Sequence, residues 1–398
     1  MGILRNQATG DQQAIAITVE SRAPHRITGL PILHPALIAT LVQPAASVAR
    51  SEEAQFEEIG AYLNRLAAAD IFSGVVVIVR DGKPVFSQAH GHADREGKIA
   101  NTLSTPFLLG SMIKLMTGLA IGQLVEQGKL SYDDPLSKFL LDYPDRENAK
   151  RIRIKHLLSH TSGLLPGFTN EAYRAALDDR RDRLATVQGL VDVSDREPPR
   201  FEPGTGWAYS NTGYVLLGRV IEAVTGDDYY DYMQKHVFAP AGMTSTSFPL
   251  LPRNGVAVVP MAYPYEVEFN GDRLRTVNKL GADFRRGGPS CCPVASALDL
   301  IALSNALHGG QLVTPATLRL HESPKPELAA PKYGYGFAVG IRMANNHALV
   351  GHGGNAFGQC TEFGQLRGTP YTIIVLSNLT IGTCVSVVGK VMRTLAPS

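Results

Sequence analysis

Apolar residues occupy every side of the helical wheel between Met112 and Gln123, within the stretch FLLGSMIKLMTGLAIGQLV at residues 107–125. A surface helix confines such residues to one face, so this pattern predicts a helix that is buried all round. Gly110 suits a tight turn into the helix, and we expect the helix to end near Gly128.

Other patterns predict the elements around this helix. Residues 51–70 place apolar side chains at helical spacing behind an N-cap serine and first-turn acids, which predicts a helix. Residues 73–91 contain two β-rich runs around Asp81-Gly82, the strongest hairpin signal in the chain. The C-terminal part predicts successive antiparallel strands and a closing helix, at residues 334–343, 346–354, 358–366, 371–379 and then 384–396.

The distribution of these patterns predicts an α/β protein of the α+β type. The first fifty residues are irregular and contain several prolines, and we interpret them as an extension of unknown role with a short strand at 14–19. Short helical patterns punctuated by Pro and Gly fill residues 132–255 and predict a helical subdomain. The α/β part would then comprise residues 51–131 and 256–398 of one 51–398 domain.

The buried helix contains one charge, Lys114, three positions after Ser111. An unpaired buried ammonium costs several kcal/mol, so the lysine must have partners or a shifted pKa. Residues i and i+3 are neighbours on a helix, which brings the amine to the serine hydroxyl. We interpret Ser111 as a nucleophile with Lys114 as its base. A snorkelling lysine beside a serine N-cap is the alternative, but this is the only Ser-x-x-Lys in the chain.

Two further stretches carry candidate chemistry. Tyr209 precedes a predicted helix, with Asn211 two residues on, and can serve as a proton path if cationic Lys114 lowers its pKa. The alternative for Tyr209 is a buried tyrosine with a satisfied hydroxyl. His352-Gly353-Gly354 follows a strand-like run, and glycines there let a substrate approach the strand edge. The Asn355 N–H would complete an oxyanion hole with that of Ser111.

Composition excludes several other classes. Lys plus Arg is 38 against 36 for Asp plus Glu, with no basic run interleaved with aromatics, so we expect no nucleic-acid partner.

The four cysteines lack C-x-x-C spacing and predict buried reduced thiols. His156 and His160 lie four apart on a predicted helix but lack the Glu of a zinc motif. We therefore expect no metal and no cofactor. No G-x-S-x-G elbow is present.

As a set, these residues resemble the serine beta-lactamase-like superfamily, and most closely its class C beta-lactamase, D,D-peptidase and family VIII carboxylesterase branch. The flanking stretches at residues 154–164, 201–218 and 237–248 are also similar to that branch. The resemblance implies a beta-lactamase/transpeptidase-like fold, an antiparallel sheet flanked by helices plus a mostly helical subdomain. It also implies Ser111 as nucleophile, Lys114 and Tyr209 as the base system, Asn211 as a support, and a substrate-binding strand at 352–355.

The chain departs from that family at the third motif, where His352 stands in place of the lysine of Lys-Thr-Gly. A mostly neutral imidazole is a poorer anchor for a β-lactam carboxylate. We therefore predict a carboxylesterase-like serine hydrolase acting on small esters. The alternatives are an amide or D-amino-acid peptide hydrolase, a weak beta-lactamase, and a catalytically silent domain that binds a peptide.

The N-terminal residues are too polar for a secretory signal, and the apolar run at 30–49 contains His34 and three prolines. We accordingly expect a soluble, cytoplasmic protein that does not associate with membranes and whose partner is a small-molecule ester substrate. Its oligomeric state does not follow from the sequence.

Overall fold

The computed structural model describes residues 51–396 apart from 168–170, 180, 195–197, 252–255, 271–272, 281–284, 357 and 381–382. In the first fifty residues it describes only five short strands, Gly2–Arg5, Gln12–Ile15, Thr18–Val19, Ile27–Gly29 and Ile32–Leu33. The strand expected at 14–19 thus corresponds to parts of two strands, with residues 16–17 outside the described part.

A six-stranded antiparallel sheet forms the centre of the fold. Its strands, in chain order, are β1 Gly74–Arg80, β2 Lys83–His90, β3 Ala338–Ala344, β4 His347–Ala356, β5 Gln359–Leu366 and β6 Tyr371–Ser377. The spatial order β3-β4-β5-β6-β1-β2 joins the N-terminal hairpin to the four C-terminal strands, with β6 paired to β1 from Tyr371 opposite Arg80 to Ser377 opposite Gly74. The four predicted C-terminal strands and the hairpin are confirmed.

The hairpin turn shows why its sequence signal was strong. Arg80 pairs with Lys83 across the turn, and both central residues have positive φ, 49° at Asp81 and 77° at Gly82. A two-residue turn of this kind matches the twist of the flanking strands, and Asp-Gly adopts it readily.

Two terminal helices pack on one face of the sheet, α1 at Glu52–Ala68 and α4 at Thr383–Leu395. Ser51 caps α1 by accepting a hydrogen bond from the Ala54 N–H, as its position before the first-turn acids predicted. Alternate β1 residues contribute to two apolar cores: Val76 and Ile78 face these helices, whereas Val75 and Val77 face the rest of the molecule.

The buried helix α2 spans Ile113–Glu126 on the opposite face and follows a 3₁₀ turn at Gly110–Met112. Lys114 has no exposed surface, and the helix is enclosed along most of its length, as the all-round apolar pattern predicted. Gly128 follows the helix with a φ of 68°, which confirms the predicted end.

Between α2 and the C-terminal strands the chain is mainly helical. The longest helix of this part, α3 at Asn211–Thr225, leads away from the site described below. Shorter helices are Arg146–Arg151, Ile154–Leu158, Glu171–Asp179, Val187–Asp192, Tyr229–Met233, Ala297–His308 and Pro315–His321, and helical turns lie at Leu136–Lys138, Arg181–Ala185, Gln234–Phe238 and Pro326–Leu328. The division into an α/β part and a helical subdomain stays a prediction.

Several short strands were not predicted from the sequence. A small sheet joins Tyr265–Asn270 to Arg273–Asn278 and to Leu379–Thr380. Two-residue and three-residue strands lie at His92–Asp94, Ile99–Ala100, Phe107–Leu108 and Val294–Ala295. The last two pair with each other just before the 3₁₀ turn, so they help to fix its start.

The expectation of reduced thiols is wrong in this structure. The sulfurs of Cys360 on β5 and Cys384 on α4 lie 2.12 Å apart and form a disulfide between sheet and helix. Cys291 and Cys292 are also joined. Residues 24 positions apart come together here only through tertiary packing, so their spacing in sequence carried no signal.

Within the described residues, no helix combines the length and apolar character needed to cross a membrane. The same residues contain no cluster of three or more His, Cys, Asp or Glu side chains arranged to hold a metal ion.

Candidate active site

The turn that carries Ser111 is held by hydrogen bonds to two other segments of the chain. Leu109 donates its N–H to the Pro293 carbonyl at 2.8 Å, and the Gly110 carbonyl accepts from the Cys292 N–H at 3.0 Å. The Thr361 hydroxyl of β5 donates to the Leu109 carbonyl at 2.9 Å. The turn is therefore fixed against the sheet independently of any substrate.

Gly110 is required in this turn for two reasons. Its φ is 55°, in the left-handed region that favours glycine. A Cβ at this position would also lie 2.8 Å from the Asn355 backbone nitrogen. The glycine thus forms the tight turn that the sequence predicted. It also lets β4 approach the start of the nucleophile helix.

Lys114 lies beside Ser111 and is fully enclosed. Its Nζ lies 3.0 Å from Ser111 Oγ, and it donates to Asn211 Oδ1 at 2.8 Å and to the Ser290 carbonyl at 2.5 Å. Burial lowers the Lys114 pKa well below its usual value, and no carboxylate among the described residues compensates for the lost hydration. The alternative of a snorkelling lysine is excluded, since the amine is buried and directed at the serine.

Tyr209 is brought to the same point from a loop almost a hundred residues later. It lines the same cleft as Ser111, and its ring centre lies 4.9 Å from Lys114 Nζ. The expectation that Lys114 would lower the Tyr209 pKa is wrong, because burial raises the pKa well above its usual value. Tyr209 is therefore held as a protonated hydroxyl, and Lys114 is the group whose pKa shift favours a free base.

Asn211 is the first residue of α3, and Ser210 caps that helix by accepting from the Gly213 N–H. The Asn211 N–H donates to the Pro166 carbonyl at 2.9 Å, which fixes the backbone from which its amide reaches Lys114. The side-chain carbonyl serves the lysine, as predicted.

His352 lies on β4 with both ring nitrogens engaged by the protein. Nδ1 is 2.5 Å from the Gly353 carbonyl and so donates to it, whereas Nε2 accepts from the Tyr333 hydroxyl at 2.6 Å. Burial lowers the His352 pKa to about 3, with the Lys114 charge as a second cause. The imidazole is neutral and occupied, which strengthens the sequence argument that it does not replace the family's lysine as an anion anchor.

The two glycines that follow let the strand contact its neighbours closely. A Cβ on Gly353 would lie 2.6 Å from Glu362 Oε1, and one on Gly354 would lie 1.8 Å from the Leu109 carbonyl oxygen. Gly354 thus packs directly on the nucleophile turn. Asn355 comes next, with its backbone beside Gly110, and it lines the same cleft as Ser111.

A cleft of about 350 Å³ opens over these residues. It is lined by Ser111, Tyr209, His352, Gly353 and Asn355 of the predicted set. Lys114 and Asn211 support that set from below, and Gly354 packs it against the Leu109 turn.

The cleft walls include residues that sequence reasoning missed. Trp207 is 44% exposed at the rim, and Tyr333 supports His352. Arg342 on β3 donates from Nη2 to Glu362 Oε1 on β5 at 2.9 Å, forming an ion pair in the cleft wall. Strand periodicity marked β3 and β5 but gave no reason to single out these side chains.

His160 does not lie on a helix as predicted. The helix Ile154–Leu158 ends before it, and its φ is 60°. His156 remains on that helix and accepts from the Arg153 N–H at its N-terminus at 3.2 Å. The pair therefore cannot act as metal ligands on one helix face, and His160 is turned into the ring cluster below Tyr209.

Comparisons with known proteins agree with this geometry. The family model described as Beta-lactamase matches residues 55–384. The putative penicillin-binding protein PbpX of Bacillus subtilis is 30% identical over 320 residues, which cover 80% of this chain and 73% of that protein. The teichoic acid D-alanine hydrolase of Staphylococcus aureus is 31% identical over 201 residues, 50% of this chain and 46% of that protein.

The fold comparison gives the same result. A crystal structure of a penicillin-binding protein from Bacillus halodurans superposes with a TM-score of 0.69 at 26% identity, covering 81% of this chain and 97% of that one. The family match extends across the Ser111 turn, the Tyr209 loop and β4. The chain belongs to the Beta-lactamase family of serine hydrolases.

Proposed function

We propose that the protein hydrolyses small carboxylic esters through an acyl-enzyme on Ser111. The observation that carries the nucleophile assignment is the 3.0 Å contact between Ser111 Oγ and a buried lysine whose pKa is strongly lowered. A neutral amine at that distance can accept the serine proton directly, because it does not first have to lose a proton of its own.

In the first step Lys114 Nζ takes the proton from Ser111 Oγ as the oxygen forms a bond to the substrate carbonyl carbon. The N–H groups of Ser111 and Asn355 then stabilise the oxyanion, an effect of about 3–4 kcal/mol for a donor of this kind. Asn211 and the Ser290 carbonyl hold the amine in place, so that the new ammonium has acceptors at once.

In the second step the bond between the carbonyl carbon and the alcohol oxygen breaks. Tyr209, kept protonated by its buried setting, donates its proton to the leaving alkoxide and is reprotonated from Lys114. Water next attacks the acyl group with Lys114 again as base, which releases the carboxylic acid and restores Ser111.

Preference for an ester over a β-lactam is supported by the charges of the cleft. His352 is neutral and both its nitrogens are engaged, and among the described residues lining the cleft the charged pair Arg342 and Glu362 neutralise each other. The cleft therefore offers little net attraction to an anionic substrate. Trp207 and Ile341 contribute apolar surface suited to a small acyl or alcohol group.

The test compares turnover of p-nitrophenyl acetate and butyrate with that of nitrocefin. We expect ester hydrolysis with little nitrocefin cleavage, and loss of both in Ser111→Ala. Ser104→Ala, an exposed serine seven positions earlier, is the matched control and should behave as wild type. Equal ester turnover in Ser111→Ala would refute the nucleophile assignment, and fast nitrocefin hydrolysis would favour the beta-lactamase alternative.

Release of an amino acid from an ester or amide is a second candidate. One relative is named a teichoic acid D-alanine hydrolase, and the Arg342–Glu362 pair supplies polar groups in the cleft for a charged substituent. D-alanine p-nitroanilide and a D-alanyl ester, assayed beside p-nitrophenyl butyrate, distinguish the two. No turnover of any substrate, together with no labelling of Ser111 by a fluorophosphonate, would instead indicate a silent peptide-binding domain.

A further inference from the structure

We propose that His160 is a positioning residue that fixes Tyr209 against Ser111 and Lys114. This inference rests on the proposed role of Tyr209 in proton transfer. His160 is buried, with 1% of its surface exposed, and it touches neither Ser111 nor the space a substrate would occupy. Its effect must therefore pass through the residues that it holds.

The first observation is a clamp on the backbone at both sides of Tyr209. The Ala208 N–H donates to the His160 carbonyl at 3.0 Å, and the Ser210 N–H donates to His160 Nδ1 at 3.1 Å. One residue thus binds the positions immediately before and after Tyr209. Because Ser210 also caps α3, the same clamp fixes the start of the helix that presents Asn211.

The second observation is the packing of the His160 ring. Its centre lies 4.3 Å from that of Tyr209 at an interplanar angle of 33°, and 4.7 Å from that of Tyr333 at 63°. Tyr333 in turn donates to His352. The imidazole therefore separates Tyr209 from Tyr333. It sets the spacing between Tyr209, the proposed proton donor, and the β4 wall of the cleft.

The third observation concerns the backbone of His160 itself. Its φ of 60° lies in the left-handed region, which residues other than glycine seldom occupy and which His, Asn and Asp adopt more readily than others. That conformation lets both the carbonyl and the ring of His160 face the 208–210 segment. Glycine would allow the same backbone but would supply neither the ring nor the Nδ1 acceptor for the Ser210 N–H.

The protonation state of His160 follows from its contacts. Nδ1 accepts from Ser210, so the ring is neutral with its proton on Nε2, which is buried and has no partner among the described residues. Burial lowers its pKa well below the usual value. Tyr209, Tyr214 and Tyr333 are the other titratable groups packed on the ring. A neutral acceptor is what the Ser210 N–H needs.

The experiment uses two substitutions of His160 and one matched control. His160→Phe keeps an aromatic ring but removes the acceptor, whereas His160→Asn keeps an acceptor and tolerates the left-handed backbone. The control is His156→Phe, which removes a comparable acceptor for the Arg153 N–H away from the cleft. Turnover of p-nitrophenyl butyrate, the rate of fluorophosphonate labelling of Ser111 and thermal unfolding are measured for each variant.

We expect His160→Phe to lower kcat and the labelling rate about 100-fold with KM within about threefold, the effect of misplacing a catalytic group by about 1 Å. His160→Asn should recover at least about tenfold of that loss. His156→Phe should lower the melting temperature with kcat per folded enzyme unchanged. A kcat for His160→Phe within about threefold of wild type would overturn the inference, as would equal losses in the control.

A double-mutant cycle with Tyr209→Phe tests whether His160 acts through Tyr209. In that background the His160 substitution should cost much less than in wild type, whereas multiplicative losses would overturn the inference. If His160→Phe does not fold, the same cycle with His160→Asn decides. Failure of the proposed function shows separately, as a wild-type protein without ester turnover, and the labelling rates then still test His160.

Discussion

Lys114 shows how burial turns an ordinary side chain into a candidate base. Its amine lies within hydrogen-bond distance of three oxygens and has no carboxylate partner among the described residues, so these contacts orient it while the lost hydration disfavours its charge. Tyr209, buried beside it, shifts in the opposite sense because its charged form is the anion. Exclusion of water from one site therefore favours the neutral, basic form of Lys114 and the protonated, acidic form of Tyr209.

The first prediction concerns the pH dependence set by Lys114. The amine must be neutral to accept the Ser111 proton, so activity is present above its folded pKa and is lost as falling pH protonates it. Because burial lowers that pKa, the acid limb of kcat/KM should lie well below 10.5. Lys114→Met should lower kcat by about 10²–10⁴, the usual contribution of a general base.

A pH–rate profile with p-nitrophenyl butyrate, between pH 5 and 10, checks both statements, and far-UV circular dichroism verifies that the variant is folded. An acid limb near the ordinary lysine value, or a Lys114→Met variant with wild-type turnover, would contradict the assignment of Lys114 as base.

The second prediction concerns His352, which is neutral and bonded to Tyr333. His352→Lys would introduce a cation where the family's third motif has one, and a hydrogen bond to a charged group contributes about 1.5–3 kcal/mol. We expect the ratio of nitrocefin to ester turnover to rise at least about tenfold. His352→Gln, which changes the side chain without adding charge, is the control. An unchanged ratio in His352→Lys would show that charge at this position does not determine substrate preference.

At the scale of elements, the site exists because β4 and the turn before α2 touch along their backbones. Gly110 and Gly354 lie at this contact from opposite sides, and Thr361 on β5 ties the same turn to the sheet. Neither glycine is explained by its own element alone. Gly110 also needs its positive φ, and at both glycines the close contact is made by the other element.

The third prediction tests this contact with Gly354→Ala. The new Cβ would lie 1.8 Å from the Leu109 carbonyl oxygen and 2.8 Å from the Thr361 hydroxyl oxygen, so the Leu109 backbone would have to shift. We expect destabilisation of about 1–3 kcal/mol, as for overpacking elsewhere, and a loss of kcat of about 10²-fold because the Ser111 turn moves.

Gly389→Ala in α4 is the matched control, because its new Cβ would meet only the flexible end of Arg393. Alanine should stabilise that helix by up to about 1 kcal/mol and leave kcat unchanged. Urea unfolding and ester kinetics measure both variants. Wild-type stability and turnover in Gly354→Ala would contradict the close contact of β4 with the turn.

At the scale of the whole molecule, several histidines are buried in neutral form on both sides of the fold. His321, enclosed at the end of the helix Pro315–His321, lies 2.7 Å from the Tyr132 hydroxyl through Nε2. Burial lowers its pKa from 6.5 to about 3. The pKa of His352 is also lowered to about 3, and that of His156 to about 4. Acid therefore destabilises the folded state at several separate sites.

The fourth prediction follows from this shift. Between pH 6.5 and 3 the unfolded chain protonates His321 and the folded chain does not, so the unfolded state binds more protons. Stability therefore falls as pH falls through this window, by about 1.4 kcal/mol per pH unit for this histidine, and is independent of it above pH 6.5. His321→Gln should flatten the slope of unfolding free energy against pH by up to that amount. Equal slopes in wild type and variant between pH 6 and 4 would contradict it.

The local signals in the sequence predicted most of the central fold. The Asp81-Gly82 turn, the capped helix α1, the all-round apolar helix α2 and the four C-terminal strands each depend on contacts between near neighbours, which periodicity and turn chemistry record. The Ser111–Lys114 pair belongs to the same class, because an i, i+3 relation is set by helix geometry alone.

Tertiary structure decided what the sequence could not. Ser290 contributes a backbone carbonyl, which carries no residue signature, and Glu362 and Tyr333 enter the cleft only through strand register and packing. The direction of the Tyr209 pKa shift depends on how much water the folded site excludes. The sequence therefore determined which residues could carry the chemistry. Their burial and their long-range partners, on which proton affinities and substrate access depend, arise only when distant segments meet.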